Sequence, residues 1–178
     1  MQMAQGLPPV FRILPVLMVV CIIVMRLLRH SSERAEQREE TVRGNSFVCE
    51  YRKHGGMEDA FLLMKLVSDA DGVKLFVGER LPDAEETEDV YPLPANAADP
   101  LIDIYFERGV WKWGELKQSE VFALDSSIYT VRFNTAIGET RFGSNDELPK
   151  SGEGIIIDVY DYLNSWRSVF RGAAEQKQ

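Results

Sequence analysis

Among the side chains that could carry out chemistry, Cys49 and His54 lie closest to a recognisable catalytic pattern. His54 precedes two glycines, an order that opens some oxyanion loops, but such a loop needs a Gly-x-Ser-x-Gly nucleophile elbow, and the sequence has none. Cys49 would need His54 beside it to act as a nucleophile, yet residues five apart on a strand face opposite sides. We therefore predict that His54 ends a strand before a turn and that Cys49 is a buried structural thiol.

Carboxylates form the second candidate for chemistry. Asp158 and Asp161 lie on one side of a predicted helix, with Glu153 one turn earlier. Two carboxylates at a suitable distance can carry out general acid/base catalysis. Because these three lie on the polar half of the helix, we expect them to be solvated surface residues. One alternative function is a carboxylate-dependent enzyme that uses Asp158, Asp161 or Glu120.

Metal-binding patterns are incomplete in this sequence. Residues 69–72 (Asp-Ala-Asp-Gly) match the opening of a calcium loop, but Val73 stands where an oxygen ligand belongs, and Arg80 occupies the twelfth position. Two histidines and two cysteines, one of them within the N-terminal apolar segment, do not supply a zinc cluster of the usual spacing. We predict a turn at residues 69–72, and no metal, cofactor or catalytic residue.

Two groups of residues are candidates for binding a partner. Trp111 and Trp113 would share one face of a strand predicted over residues 110–116, either filling the core or, at a sheet edge, forming a contact site. Glu85, Glu86 and Glu88 lie in an acidic stretch that could dock a basic partner or simply remain solvated.

Composition excludes several classes of protein. The chain has 178 residues, which allows one ordinary domain plus an appendage. Its 45% hydrophobic content and 10% aromatic content argue against disorder throughout. The formal net charge of −8 argues against a general nucleic-acid binder, which needs a basic surface to displace counterions. Two cysteines are too few for a disulfide-stapled fold.

The N-terminal region contains a strongly apolar segment. Residues 13–25 carry no charge, and Arg12 and Arg26 at its borders can snorkel, which extends the apolar segment to residues 7–28. A cleaved signal peptide, a lipoprotein at Cys21 and a buried core helix are the alternatives. We predict an uncleaved, single-pass transmembrane anchor that inserts into the lipid bilayer.

Two arguments predict opposite orientations for this anchor. Short N-terminal anchors generally export the domain that follows, which favours the periplasmic face of a bacterial envelope. The positive-inside rule favours the cytoplasmic face, because more arginines follow the segment than precede it. The following arginines are Arg26, Arg29, Arg34 and Arg38. We predict export, against the arginine count.

A charged segment at residues 29–44 follows the anchor and contains four arginines and four glutamates. Glu39 and Arg43 are spaced four apart in the favourable order, and Gly44 is a suitable helix stop. We predict a helical stalk continuous with the anchor.

Residues 45–172 are predicted to form one α+β domain. Strands are expected at residues 46–53, 60–68, 73–81, 101–107, 110–116, 120–125, 127–136 and 139–143. For residues 57–68 a helix is the alternative. The prediction is an antiparallel sheet of five to seven strands with one C-terminal amphipathic helix packed on it.

Two further segments complete this domain. The proline density of residues 82–100 predicts a long exposed loop. Residues 155–171 predict the amphipathic helix, closed by Gly172, with a disordered tail over residues 173–178. Arg167 falls on the apolar half of this helix, where it must either snorkel or pair with an acid from the sheet. Val169 is predicted on the same apolar half.

These patterns predict a non-enzymatic, single-pass membrane-anchored domain that binds a protein partner, such as an accessory subunit of a cell-envelope assembly. An acidic immunity-type protein is the other binding alternative, because residues 44–178 carry 14 basic and 24 acidic side chains, a net charge that suits a basic toxin.

Overall fold

The computed structural model describes residues 10–55, 60–80, 87–114, 116 and 127–175. Its contacts divide the chain into two units, residues 1–38 and 39–178. Helix α1 (Val10–Arg43) begins in the first unit and ends in the second. The helix ends where the sequence predicts, with the Gly44 amide donating to the Glu40 carbonyl at 2.9 Å.

Apart from Arg26, the described side chains of the first unit are uncharged up to residue 28, and the residues beyond it are mostly polar or charged. Arg29 and Glu33 pair at 3.0 Å on the charged part. The large apolar side chains between Met18 and Leu28 are 46–65% exposed. Among the described residues, no helix is both long enough and apolar enough to cross a membrane.

The second unit contains a six-stranded antiparallel sheet, so the predicted α+β class and strand number are confirmed. The spatial order is β4-β3-β2-β1-β5-β6. The strands are β1 (Phe47–His54), β2 (Phe61–Asp69), β3 (Gly72–Arg80), β4 (Thr87–Leu93), β5 (Ile128–Thr135) and β6 (Gly138–Gly143). The alternative of a helix over residues 57–68 is wrong for β2, because Met64 and Leu66 are buried in the two-residue period of a strand.

The predicted turn between β2 and β3 is confirmed. Asp69 pairs with Gly72 across a two-residue connection. Gly72 has a φ of 106°, a conformation that glycine adopts without steric cost. The Asp69 carboxylate accepts a hydrogen bond from the Asp71 amide at 2.9 Å, and this hydrogen bond stabilises the turn.

The predicted long loop over residues 82–100 is wrong at β4. Residues 87–93 pair with β3, which supplies the backbone partners that sequence alone does not reveal. Pro92 is compatible with this strand because β4 is the edge of the sheet and pairs on one side only.

The strand predicted at residues 101–107 is also wrong, because this segment lies in helix α2 (Asp99–Glu107). Pro100 occupies the first turn, where its missing amide hydrogen costs nothing. Leu101, Ile102 and Tyr105 are buried on one side of the helix. Gly109, with a φ of 70°, then leads into a 3-10 turn at Val110–Lys112 in place of the strand predicted over residues 110–116.

The C-terminal helix α3 (Ile155–Glu175) begins where predicted but continues through Gly172. The predicted tail therefore starts with helical residues, and residues 176–178 lie outside the described part of the chain. Val169 is 61% exposed, which contradicts its predicted place on the apolar face. The sheet-facing positions of these last turns belong instead to Arg167 and Phe170, which contact β3 and β4 respectively.

The core lies between one face of the sheet and helices α2 and α3. Phe133 on β5 is at its centre, with ring centroids 6.1 Å from Phe47, 5.2 Å from Tyr105 and 6.3 Å from Phe142. Arg43 ties the end of α1 to helix α2 through ion pairs with Asp99 and Asp103, and it also pairs with Glu39 within α1.

Candidate interaction surface

The two residues closest to a catalytic pattern lie on opposite faces of β1. Cys49 is fully buried on the core side, whereas His54 is exposed at the end of the strand with its ring 5.2 Å from that of Phe61. The predicted buried thiol and strand-end histidine are confirmed. Burial raises the pKa of the Cys49 thiol, so the nucleophilic thiolate is disfavoured.

We expect Cys49 to resist modification in the folded chain. In a Cys21→Ser variant, where Cys49 is the remaining thiol, reaction with an aromatic disulfide reagent should be at least about a hundredfold slower than after unfolding in guanidinium. The release of the coloured thiolate measures both rates. Rapid reaction of the folded variant would show that Cys49 is accessible.

The helix carboxylates do not form an isolated acidic pair. Asp158 binds Arg108 at 2.7 Å, and Asp161 and Glu153 are exposed on the surface of the domain. Glu120 lies outside the described residues. Within the described part of the chain, no group of three or more histidine, cysteine or acidic side chains is placed to hold a metal ion.

The two tryptophans do not share a face, so the predicted aromatic ladder is wrong. Trp111 packs near Phe106, with ring centroids 6.0 Å apart, whereas Trp113 packs against Phe142 at 5.2 Å. Both are half-buried against the core because the chain turns sharply after α2. Their use in partner binding remains a prediction.

Glu88 is exposed on the edge strand β4, directly opposite Gly78 in the strand register. Glu85 and Glu86 lie outside the described residues. Arg167 pairs with Glu79 of β3, and both side chains are only 18% exposed. The predicted pairing of Arg167 with an acid from the sheet is therefore confirmed.

The sheet face opposite α2 and α3 carries the strongest candidate for a functional surface, and we call it the open face. Strand pleating alternates its side chains with those of the core. Its described members are Val48, Glu50, Arg52, His54, Phe61, Leu63, Lys65, Val67, Lys74, Phe76, Arg80, Glu88, Val90, Ile128, Thr130, Arg132, Asn134, Glu139 and Arg141.

One half of the open face, on β1, β5 and β6, is a cluster of arginines and glutamates. Glu50 is 8% exposed and accepts a hydrogen bond from Arg52 at 2.6 Å. Arg132 faces Glu50 across one strand pair and Arg141 across the other, and it binds Glu139 at 2.6 Å. Together with Thr130 these five side chains line a recess of about 290 Å³.

The cluster has an excess of positive charge at its outer edge. Three arginines meet two glutamates, and Arg141 has an exposed side chain on the edge strand. Hydrogen bonding from Arg132 holds the pKa of Glu139 below its ordinary value. Ionised Glu139 therefore stabilises the folded chain at pH values above the ordinary pKa of a glutamate. This stabilisation is lost as the pH falls through the lowered pKa that Glu139 has in the folded chain.

We expect the Arg132→Gln substitution to return the pKa of Glu139 towards that of an ordinary glutamate, because the main hydrogen bond to its ionised form is removed. Carboxyl-carbon NMR titration of both proteins measures the change. Arg108→Gln, which breaks the ion pair with Asp158 instead, is the matched control and should leave Glu139 unaffected. An unchanged Glu139 titration in Arg132→Gln would contradict the assigned contact.

The other half of the open face, on β2, β3 and β4, combines apolar side chains with the charged residues Lys65, Lys74, Arg80 and Glu88. Leu63, Val67 and Phe76 are half-buried, and Val90 is 50% exposed. The ammonium group of Lys65 lies 5.6 Å from the centroid of the Phe76 ring. An apolar patch beside a polar, arginine-containing margin is the arrangement found in protein–protein interfaces.

Sequence reasoning found every strand of this surface except β4, and it did not find the cluster itself. The available signal was the alternation of Glu50 and Arg52 with buried residues on β1, repeated by Thr130 and Arg132 on β5. No protein family matches the chain, and no curated protein is detectably similar to it in sequence.

Proposed function

We propose that this protein is a non-catalytic binding protein, tethered to a lipid bilayer by residues 7–28, that recognises a protein partner through its open face. The observation that carries the proposal is the arginine–glutamate cluster lying beside an apolar patch on one sheet face. Arginine and aromatic side chains such as Phe76 are enriched at interfaces, and the acidic partners of the arginines limit nonspecific attraction.

The tether is supported by the described part of α1. Its large apolar side chains between Met18 and Leu28 are exposed in succession around the helix, and an exposed apolar surface of this kind needs a lipid or protein cover. The apolar residues before Met18 lengthen the same segment. We propose a single-pass anchor with the domain on the exported face of a cell envelope, as part of an envelope assembly.

Membrane extraction tests the tether. The full-length chain should remain in the membrane pellet after alkaline carbonate treatment, whereas a Val20→Lys/Val24→Lys variant should move to the supernatant. A tag after Gln178 should be digested by protease added to spheroplasts. Recovery of the wild-type chain in the supernatant overturns the tether, and protection of the tag in intact spheroplasts overturns the exported placement.

Partner binding is tested by capture from intact membranes with matched variants. Arg141→Glu and Val90→Asp alter the charged and apolar halves of the open face at exposed positions. Lys150→Glu and Val169→Asp make similar changes at exposed positions away from that face. A partner captured by the wild-type chain should not be captured by Arg141→Glu or Val90→Asp. It should still be captured by Lys150→Glu and Val169→Asp. Retention of the same partner by both open-face variants overturns the proposed surface.

An immunity-type role is the second candidate, in which the acidic edge of the domain neutralises a basic toxin. Its specific support is that Glu88 is exposed on the open face beside Val90. Reversal of Glu85, Glu86 and Glu88 to lysine should then weaken a toxin complex, whereas Arg141→Glu should not. Unchanged toxin affinity after the triple reversal would exclude this role.

A further inference from the structure

A second recess lies on the core side of the sheet, between the first turns of α3 and the neighbouring ends of β1 and β5. Its volume is about 450 Å³, within the range of small-molecule sites. Three tyrosines and three aliphatic side chains form most of its wall, and we call it the tyrosine recess. These are Tyr51, Tyr129, Tyr160, Leu62, Ile156 and Ile157.

The aromatic wall is tightly grouped. The Tyr51 ring centroid lies 5.2 Å from that of Tyr160 and 6.3 Å from that of Tyr129. Burial and the neighbouring phenols raise the pKa of Tyr51, so the Tyr51 ring is uncharged at neutral pH. Ile157 also lines the recess and is 63% exposed, an unusually high exposure for a large apolar side chain of this domain.

One side chain in the wall of this recess is positively charged. Lys53, the remaining wall residue, has its ammonium group 5.7 Å from the centroid of the Tyr129 ring. Within the described part of the chain it forms no ion pair with a carboxylate. The acid in the adjoining recess, Glu79, is already bound by Arg167 and Arg171.

We infer that the tyrosine recess binds a small apolar carboxylate, with the hydrocarbon body among the tyrosine and isoleucine side chains and the carboxylate on Lys53. An unpaired ammonium group beside an apolar cavity is complementary to that class of ligand, because the acid gains a charged partner while its body leaves water. This inference is independent of the function proposed for the open face.

The test measures binding of 4-phenylbutyrate to the purified full-length chain by calorimetry, with the neutral isostere 4-phenylbutyramide beside it. The acid should bind about tenfold more tightly than the amide, as expected for one charge-assisted contact. Decanoate replaces the aromatic body by an aliphatic one, and binding of either acid supports the site. Equal affinity for acid and amide, or no binding of either acid, overturns the inference.

Two variants locate the binding. Lys53→Met should reduce the affinity for the acid to that for the amide, while Lys65→Met should leave both affinities unchanged. Lys65 is the matched control, because it also lies over an aromatic ring but on the open face. Ile157→Gln changes an exposed position and should weaken acid and amide alike. A weakened acid affinity in Lys65→Met, or an acid affinity in Lys53→Met that stays at the wild-type value, overturns the assignment to Lys53.

Discussion

Replacement of Glu79 by leucine is expected to lower the free energy of unfolding by about 3 kcal/mol, the low end of the range for a broken buried ion pair. Glu79 on β3 is the shared partner of Arg167 and Arg171 on α3. Its loss leaves two neighbouring guanidinium groups without the carboxylate. The low end applies because 18% of the Glu79 and Arg167 side chains remains exposed.

A combined Glu79→Leu/Arg167→Met variant should recover much of this loss, because an apolar pair of similar volume replaces the two charges. Asp158→Asn is the matched control, since its ion pair with Arg108 also joins α3 to another segment but is about 40% exposed on both sides. We expect that control to cost within about 1 kcal/mol. Denaturant unfolding of the full chain measures all three variants, and a loss below about 1 kcal/mol in Glu79→Leu would contradict the network's role.

Substitution of Gly152 by alanine should destabilise the domain by about 2 kcal/mol through overpacking. A Cβ atom at this buried position would lie 2.5 Å and 2.9 Å from two ring carbons of Trp113. That ring cannot withdraw freely, because its other contact is Phe142 in the core. The Trp113 ring or the backbone at residue 152 must therefore shift to accommodate the added methyl group.

Trp113→Leu should relieve the clash, so the double variant should be less destabilised than the sum of the two single variants. Gly172→Ala is the control for the substitution itself. Gly172 lies in α3 with no atom within 4 Å of the added methyl group, and we expect a gain of about 0.5–1 kcal/mol in helix stability. Additive effects of Gly152→Ala and Trp113→Leu would show that the two residues do not collide.

The sequence predicted β1, β2, β3, β5, β6 and the start of α3 because each has a strong local pattern. On β5, for example, Val131 and Phe133 alternate with exposed or half-buried neighbours. The same local reasoning predicted the Asp69–Gly72 turn and the burial of Cys49. In the strand segments the side-chain period favours a strand over a helix, except at β2, where a helix stayed open until the burial pattern of the structure excluded it.

Sequence reasoning failed at β4 and α2, where local preference is weak or misleading. Residues 87–93 contain acids and a proline, and they form a strand because β3 offers them a hydrogen-bonding edge. Residues 101–107 are apolar enough for either structure. Burial of Leu101 and Tyr105 against the rest of the core selects the helix.

By itself, the amino-acid sequence determined the acidic charge balance, the apolar N-terminal segment, the α+β class and the position of most strands. Only the tertiary structure decided which side chains meet. Arg132 and Arg141 line one recess with Glu50 because antiparallel pairing places β5 next to β1 and β6 next to β5. Lys53 and Tyr160 reach one recess because α3 packs across the sheet. Such contacts join residues more than 80 positions apart, and register and packing fix them, because local side-chain periodicity carries no information about which distant partner will be adjacent.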